Sequence, residues 1–279
     1  MRDLSLPASS TESGWHASLR LGFACDAGTT RLAQRRHAGP LRVQKPLYPE
    51  GPGVCHAVLV HPPGGVAGGD VLDIGVELGP DARALLTAPG AAKWYRANGR
   101  PARQQVRLLA AGGASVEWLP QETILYDGAD VTLEHEVELE DGATYIGSEI
   151  LCFGRAAAGE RFVRGALRQR TRIRQGGRLV WHEQGRLDGG DALASPLGLG
   201  GRHVCATLLA VGPPAPPALL AGLRSGDAAL GLSQLKSVFV ARYLCDDSEA
   251  ARHALARVWQ ALRPHLLGLE ARPPRIWNT

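Results

Sequence analysis

The sequence predicts a mainly β protein built as one long succession of short strands, with two helical segments near the C-terminus. Three observations carry that expectation. Apolar residues alternate with polar ones over several runs, as in Leu19, Leu21 and Phe23 or Leu72, Ile74, Val76 and Leu78. Turn signals rich in Gly, Pro, Asn and Asp recur roughly every ten residues, the spacing of a sandwich, barrel or solenoid. The one long stretch with clear helical periodicity, Ser248 to Arg263, lies close to the end of the chain.

Residues 1–14 are polar and are expected to be flexible; residues 15–279 are expected to form one domain. A strand from Trp15, the turn Asp26-Ala27-Gly28 and a return over Thr29 to Arg36 make the first hairpin. Leu41 to Leu47 is a short extended run. Val54 to Val60 is apolar at both parities except His56, as expected for a strand buried on two faces. Strands follow over Val71 to Leu78, Arg83 to Thr87, Lys93 to Arg96, Val106 to Leu109 and Val116 to Leu119, separated by glycine turns. Val131 to Cys152 reads as a hairpin about Asp141-Gly142, which would set Glu149 opposite Glu134 on an acidic face. A second hairpin, Leu167 to Glu183 about Gly176-Gly177, would set Arg170 opposite Glu183 and line up Arg168, Arg170, Arg172 and Arg174. His203 to Val211 and Leu235 to Leu244 are further strands, and Ala218 to Leu223 a short helix. In the last helix Asp247 or Ser248 caps the start, Ala251, Leu255, Val258, Trp259 and Leu262 form the apolar stripe, and Pro264 is expected to stop it.

Composition narrows the function. A formal net charge of +4 is mild and demands neither nucleic acid nor a membrane surface. The arginine stripe lacks the interleaved aromatic platform of a single-strand binder. Cys25, Cys55, Cys152, Cys205 and Cys245 are odd in number and contain no C-x-x-C pair, which argues against disulfides and structural zinc and for a reducing, cytoplasmic setting. No apolar run is long enough to span a bilayer, and the N-terminus has no signal-peptide core.

The chain is organised around His61-Pro62-Pro63-Gly64-Gly65-Val66-Ala67-Gly68-Gly69-Asp70. Its glycines let backbone pass close to another surface, and His61 and Asp70 are placed to face one another across it. It is no phosphate cradle: it lacks a Gly-Lys-Ser/Thr ending and leads into a strand. Neither a G-x-S-x-G elbow nor an H-E-x-x-H helix occurs, and His182 and Glu183 point to opposite faces of a strand. On residue chemistry alone the remaining catalytic option is a β-solenoid hydrolase or lyase whose carboxylates converge on folding.

This Gly-rich block resembles the hallmark of the UreD (UreH) family of urease accessory proteins. Further blocks resemble the same family in the same order: Val43-Gln44-Lys45-Pro46-Leu47-Tyr48-Pro49-Glu50, Thr87 to Arg96, Glu117-Trp118-Leu119-Pro120-Gln121-Glu122, Leu151-Cys152-Phe153-Gly154-Arg155 with Gly159-Glu160, Trp259 to Leu266, and Pro274-Arg275-Ile276-Trp277. The resemblance implies a single β-helix-like stack of strands with two short helices near the C-terminus, and a chaperone with no catalysis of its own. It implies binding to apo-urease, to UreF and to the GTPase UreG, which would handle GTP, with UreE as indirect nickel donor. It implies no stably bound cofactor, only nickel in transit through an internal polar channel. Sparse carboxylates suit such a path, since they offset part of the hydration of Ni²⁺ without trapping it. Glu149, Glu183 and Asp70 are the candidates for lining it; Lys93 and Arg155 are expected to be structural or partner-facing.

Overall fold

The computed structural model describes residues 14–278; the expected N-terminal flexible segment falls almost entirely outside them. In chain order the strands are β1 (His16–Asp26), β2 (Thr29–Ala38), β3 (Arg42–Val43), β4 (Cys55–Val60), β5 (Val71–Leu78), β6 (Arg83–Thr87), β7 (Ala92–Trp94), β8 (Ala102–Ala110), β9 (Ser115–Leu119), β10 (Thr123–Leu125), β11 (Asp130–Leu139), β12 (Thr144–Arg155), β13 (Glu160–Arg161), β14 (Ala166–Gln175) and β15 (Arg178–Asp188). After a one-turn helix α1 (Asp191–Ala194) come β16 (Val204–Val211), α2 (Pro217–Gly226), β17 (Leu230–Leu235), β18 (Val238–Cys245) and α3 (Ser248–Leu267).

The chain winds as a β-solenoid. One sheet runs β15-β14-β11-β8-β5-β1-β2, with β1, β5, β8, β11 and β14 all parallel. The other runs β17-β18-β16-β12-β9-β6-β4-β3, and its middle, β4, β6, β9 and β12, is again parallel. β7 and β10 pair in parallel on a short third side, where β10 also joins β12. Each coil therefore lays its strand on the strand of the coil before, which is how a solenoid buries a continuous core. Antiparallel strands close the ends: β2 on β1, β15 on β14, and β16, β18 and β17 beyond β12.

The first and last expected hairpins stand, β1–β2 and β14–β15. The hairpin expected over Val131 to Cys152 does not form. β11 and β12 lie in different sheets, and Glu140 to Ala143 turns the corner between them. The corner's backbone bonds go to the preceding coil, Glu140 N to Ala110 O and Thr144 N to Ala114 O, so Glu134 and Glu149 never face each other. Alternation specifies which face a side chain takes but not which strand lies beside it, and here the parallel edge already offered by β8 and β9 prevails. Glu134, Glu136 and Glu138 instead neutralise the arginine stripe next door: Arg170 binds Glu134 and Glu136, Arg174 binds Glu138, and Arg168 binds Asp130. In β14–β15 a bulge between Ile173 and Arg174 shifts the register by one, so Glu183 lies opposite Thr171 and not Arg170. The run from Leu235 to Leu244 is the turn and second strand of a hairpin, with Lys236 at positive φ between β17 and β18.

Two cores result. Leu19, Leu21, Ile74, Val76, Val106, Leu108, Val131, Val137, Leu167 and Ile173 of one sheet meet Ala84, Leu86, Val116, Leu151 and Leu209 of the other. On the far side of the second sheet, Ile146, Ile150, Ala206, Leu208, Phe239 and Ala241 pack against Ala251, Leu255, Val258, Trp259 and Leu262 of α3. β4 is thus covered on both faces, as its sequence anticipates. The Asp247 side chain caps α3 by accepting from Glu249 N. Pro264 lies inside the helix: it forfeits one N–H, while Leu266 and Leu267 beyond it pack on the second core, and Gly268 in the left-handed region closes the end onto Pro264 O.

A buried ion cluster fixes α3 in place. The Arg263 guanidinium, with no exposed side-chain surface, donates to both oxygens of Glu117 on β9 and to both of Glu50. His56 on β4 donates from Nε2 to Glu50, 2.6 Å, and the indole of Trp259, one turn before Arg263, donates to Glu117, 2.6 Å. Burial pushes the Glu117 carboxyl up against the pull of Arg263, whereas the hydrogen bonds of His56 and Arg263 hold Glu50 down against its own desolvation. Replacing Arg263 by Met strands Glu117 and Glu50 without a cation, so Arg263→Met should lower unfolding free energy by about 3–5 kcal/mol. Urea denaturation checks this; adding Glu117→Gln to the variant should recover a substantial part of the loss, and two additive penalties would contradict the coupling.

Candidate functional site

A cavity of about 610 Å³ lies between the two sheets. Its walls follow from register. On β12 the inward side chains are Tyr145, Glu149 and Leu151, with Gly147 between the first two. Across the ladder Glu149 pairs with Thr207 of β16, and Thr207 with Arg242 of β18. On the opposite sheet His135 of β11 pairs with Thr171 of β14, and Thr171 with Glu183 of β15. Two polar rows, Glu149–Thr207–Arg242 and His135–Thr171–Glu183, therefore line one cavity. Gln104, Gln121, Ser148 and Gln169 add neutral polar groups, and Leu133, Leu167, Leu199 and Leu209 the apolar wall.

Glu149 sits deep in the protein yet keeps part of its surface open to the cavity. Gln169 Nε2 donates to its Oε2. Burial pushes its carboxyl up to about 7; the Gln169 bond opposes this and the charge of Glu183 adds to it. His135 is held to about 4 by burial and is neutral at pH 7, its Nε2 hydrogen-bonded to Tyr145 Oη at 2.9 Å. Gly147 makes room for that pair: a Cβ there would lie 1.7 Å from Tyr145 Oη. Cys205, also on the wall, is pushed up to about 11, first by burial, and remains a thiol.

Of the three residues singled out from sequence, the structure brings two together. Glu149 and Glu183 line the same cavity from opposite sheets. Glu183 is bound by Arg242 and not by Arg170. Asp70 lies elsewhere, tying the Gly-rich loop: Oδ1 accepts from Trp15 N and Oδ2 from Ala67 N, both at 2.8 Å. That loop does run against a neighbouring surface, for a Cβ on Gly68 would meet Ala97 O at 2.0 Å. His61 faces the cavity, its pKa lowered by burial with the charge of Asp70 opposing. Lys93 is on the wall as well, and Arg155 binds Glu160 and stacks 4.3 Å over Tyr126. Sequence reasoning missed Arg242 and His135. The available signal was a lone charge or imidazole at an inward parity of an otherwise apolar strand. Among the described residues, no three His, Cys, Asp or Glu side chains gather as a metal-binding set, and no helix is long and apolar enough to cross a membrane.

The fold is that of a β-solenoid protein with a polar layer between its sheets and one C-terminal helix, α3, pinned through a buried ion cluster. A family model described as UreD urease accessory protein matches residues 16–278. Proteins named urease accessory protein UreD are similar over nearly the whole chain. The one from Janthinobacterium sp. (strain Marseille) is 56% identical over 270 residues, 94% of this chain and 91% of its own length. That of Nitrosospira multiformis is 52% identical over 279 residues, 96% and 99% of the two chains. That of Azoarcus sp. (strain BH72) is 50% identical over 270 residues, 95% of each. The chain belongs to the UreD family of urease accessory proteins, and its role is accessory rather than catalytic.

Because the folded pKa of Glu149 is raised, from 4.5 to about 7, the native state holds a proton there that the unfolded chain releases earlier. Its contribution is complete below pH 4.5 and is lost as pH rises through 7. Glu149→Gln should flatten that slope and stabilise the protein by about 1–3 kcal/mol at pH 8 relative to wild type, with little change at pH 4.5. Urea unfolding at the two pH values measures the difference; an unaltered slope would mean that Glu149 is not desolvated.

Proposed function

We propose that the protein serves urease maturation by binding apo-urease together with UreF and UreG, and that nickel, as cargo supplied indirectly by UreE, crosses its interior on the way to the urease metallocentre. The observation that carries this reading is the cavity layer in which Glu149 presents a carboxylate held by one neutral amide and otherwise open. A hydrated divalent cation needs some oxygen ligands to offset the water it sheds, but a full cage would hold it. One or two carboxylates among Thr207, Thr171, Gln169 and Gln121 meet that requirement. A carboxyl poised near neutrality exchanges its proton for an arriving cation and regains it on departure, so the cavity carries little net charge at rest. Nucleotide chemistry is assigned to UreG, since the Gly-rich loop here is a backbone contact with no phosphate-binding ending. The setting proposed is the cytoplasm, in keeping with five free thiols.

The test separates assembly from transfer. Glu149→Ala should form the complex with UreF and UreG at wild-type yield in a pull-down. Activation of apo-urease at limiting nickel should drop about tenfold, the effect of withdrawing roughly 1.4 kcal/mol of cation stabilisation. Full activation by the variant would dismiss the carboxylate as part of a path, and three proteins migrating separately in the wild-type mixture would remove the assembly reading.

A further inference from the structure

On the cavity wall the two polar rows are joined by one partly exposed contact. Arg242 of β18 donates from Nη2 to Glu183 Oε1 of β15. The pair connects the last strand of one sheet to the penultimate strand of the other. It differs in kind from the ladder on the outer face of the first sheet, where Arg103, Arg107, Arg168, Arg170 and Arg174 bind carboxylates within their own sheet. Both partners are partly exposed, the side chains at 46% and 33%, while Glu149 is desolvated enough to raise its carboxyl pKa. Arg242 is the inward-facing member of an apolar strand, between Val240 and Leu244. Neither side chain is held by another ion pair among the described residues.

We propose that Arg242 is a clasp on this cavity: its guanidinium occupies the carboxylate that a divalent cation must use to come in, and Glu183 receives a cation only when Arg242 is drawn away. The inference rests on the reading of the cavity as a cation path and adds what controls admission to it. A guanidinium and a divalent cation compete for one carboxylate, and a fixed positive charge at a constriction repels the cation further. The clasp is held by one guanidinium nitrogen rather than a bidentate fork, so a competing carboxylate offered from outside suffices to release it. With Arg242 gone, Glu183 and Glu149, already close enough to feel each other's charge, become available to the same ion.

The experiment uses the purified full-length chain and Ni²⁺ alone, titrated against a chromogenic chelator at pH 7.5, with thermal melts confirming that each variant is folded. Arg242→Gln should raise Ni²⁺ affinity about tenfold, and Glu183→Gln, which leaves the guanidinium unneutralised at the mouth, should lower it. The double variant should lose the gain, and Arg242→Lys should stay near wild type. A purely structural pair would affect stability in both single variants and move Ni²⁺ affinity in neither. Equal affinity of Arg242→Gln and wild type, or a gain that survives in the double variant, overturns the clasp. The cation-path reading is judged separately, by urease activation with Glu149→Ala, so either can fail alone.

Discussion

Arg263 carries its charge where its side chain has no contact with solvent, and a large part of the molecule is arranged around that fact. Two carboxylates, from the loop before β4 and from β9, converge on one guanidinium from α3. Such an ion pair contributes little net stability over an apolar equivalent, because each charge gives up its hydration to reach the interior. Its consequence is geometric. Only one placement of α3 satisfies Glu50, Glu117 and the Trp259 indole at once, and Trp277 from the tail locks over Trp259 while donating to Thr87. The sequence blocks that carry the family resemblance are distant along the chain, yet four of them meet in this cluster, through Glu50, Glu117, Trp259 with Arg263, and Trp277.

Fixing α3 has an effect on the opposite face of the same strands. β12, β16 and β18 send Ile146, Ile150, Ala206, Leu208, Phe239 and Ala241 into the helix-covered core. Alternation then sends Glu149, Thr207 and Arg242 the other way, into the space between sheets. A carboxylate and a hydroxyl turned into a sheet interior cost desolvation energy that the inner face alone does not recover, while Arg242 stays partly in solvent. The outer face, buried against α3, supplies the compensating apolar contact. The helix matters to the cavity without touching it.

What could be read from the sequence follows the same division. Period-two alternation placed side chains on the correct faces of β1, β5 and β11, and the glycine turns gave the β1–β2 and β14–β15 hairpins. It did not reveal neighbours. Asp141-Gly142 has the composition of a hairpin turn and makes a solenoid corner, because parallel pairing with a coil some thirty residues earlier leaves no local trace. The shift at Ile173 moved Glu183 by one place and exchanged its expected partner, Arg170, for Arg242 in another sheet. Glu149 and Glu183 were legible through the family resemblance and not through alternation, since the hairpin registers expected from it set Glu149 on an acidic face opposite Glu134 and Glu183 against Arg170. Asp70 was legible only as the end of its loop, which is where both of its oxygens are engaged. Arg263 escaped notice because a cation one turn after Trp259 reads as the polar border of the apolar stripe, when it is the stripe's continuation.

The chemistry of the cavity turns on the contrast between its two carboxylates. Both are inward-facing glutamates on strands, yet their surroundings separate them. Glu183 has a cation beside it and partial access to water. Glu149 has an amide and a void, and burial raises its pKa to about 7. One site is thus filled by a guanidinium, and the other shares its time between a proton and a free carboxylate near neutral pH. In the proposed path a dication competes with both occupants, its stronger attraction to a carboxylate set against the larger hydration it must shed. On the proposed reading, an interior closed by exchangeable charges rather than by packed side chains would admit a metal ion without rebuilding the sheets and without a cysteine thiolate, for the Cys205 on its wall stays protonated.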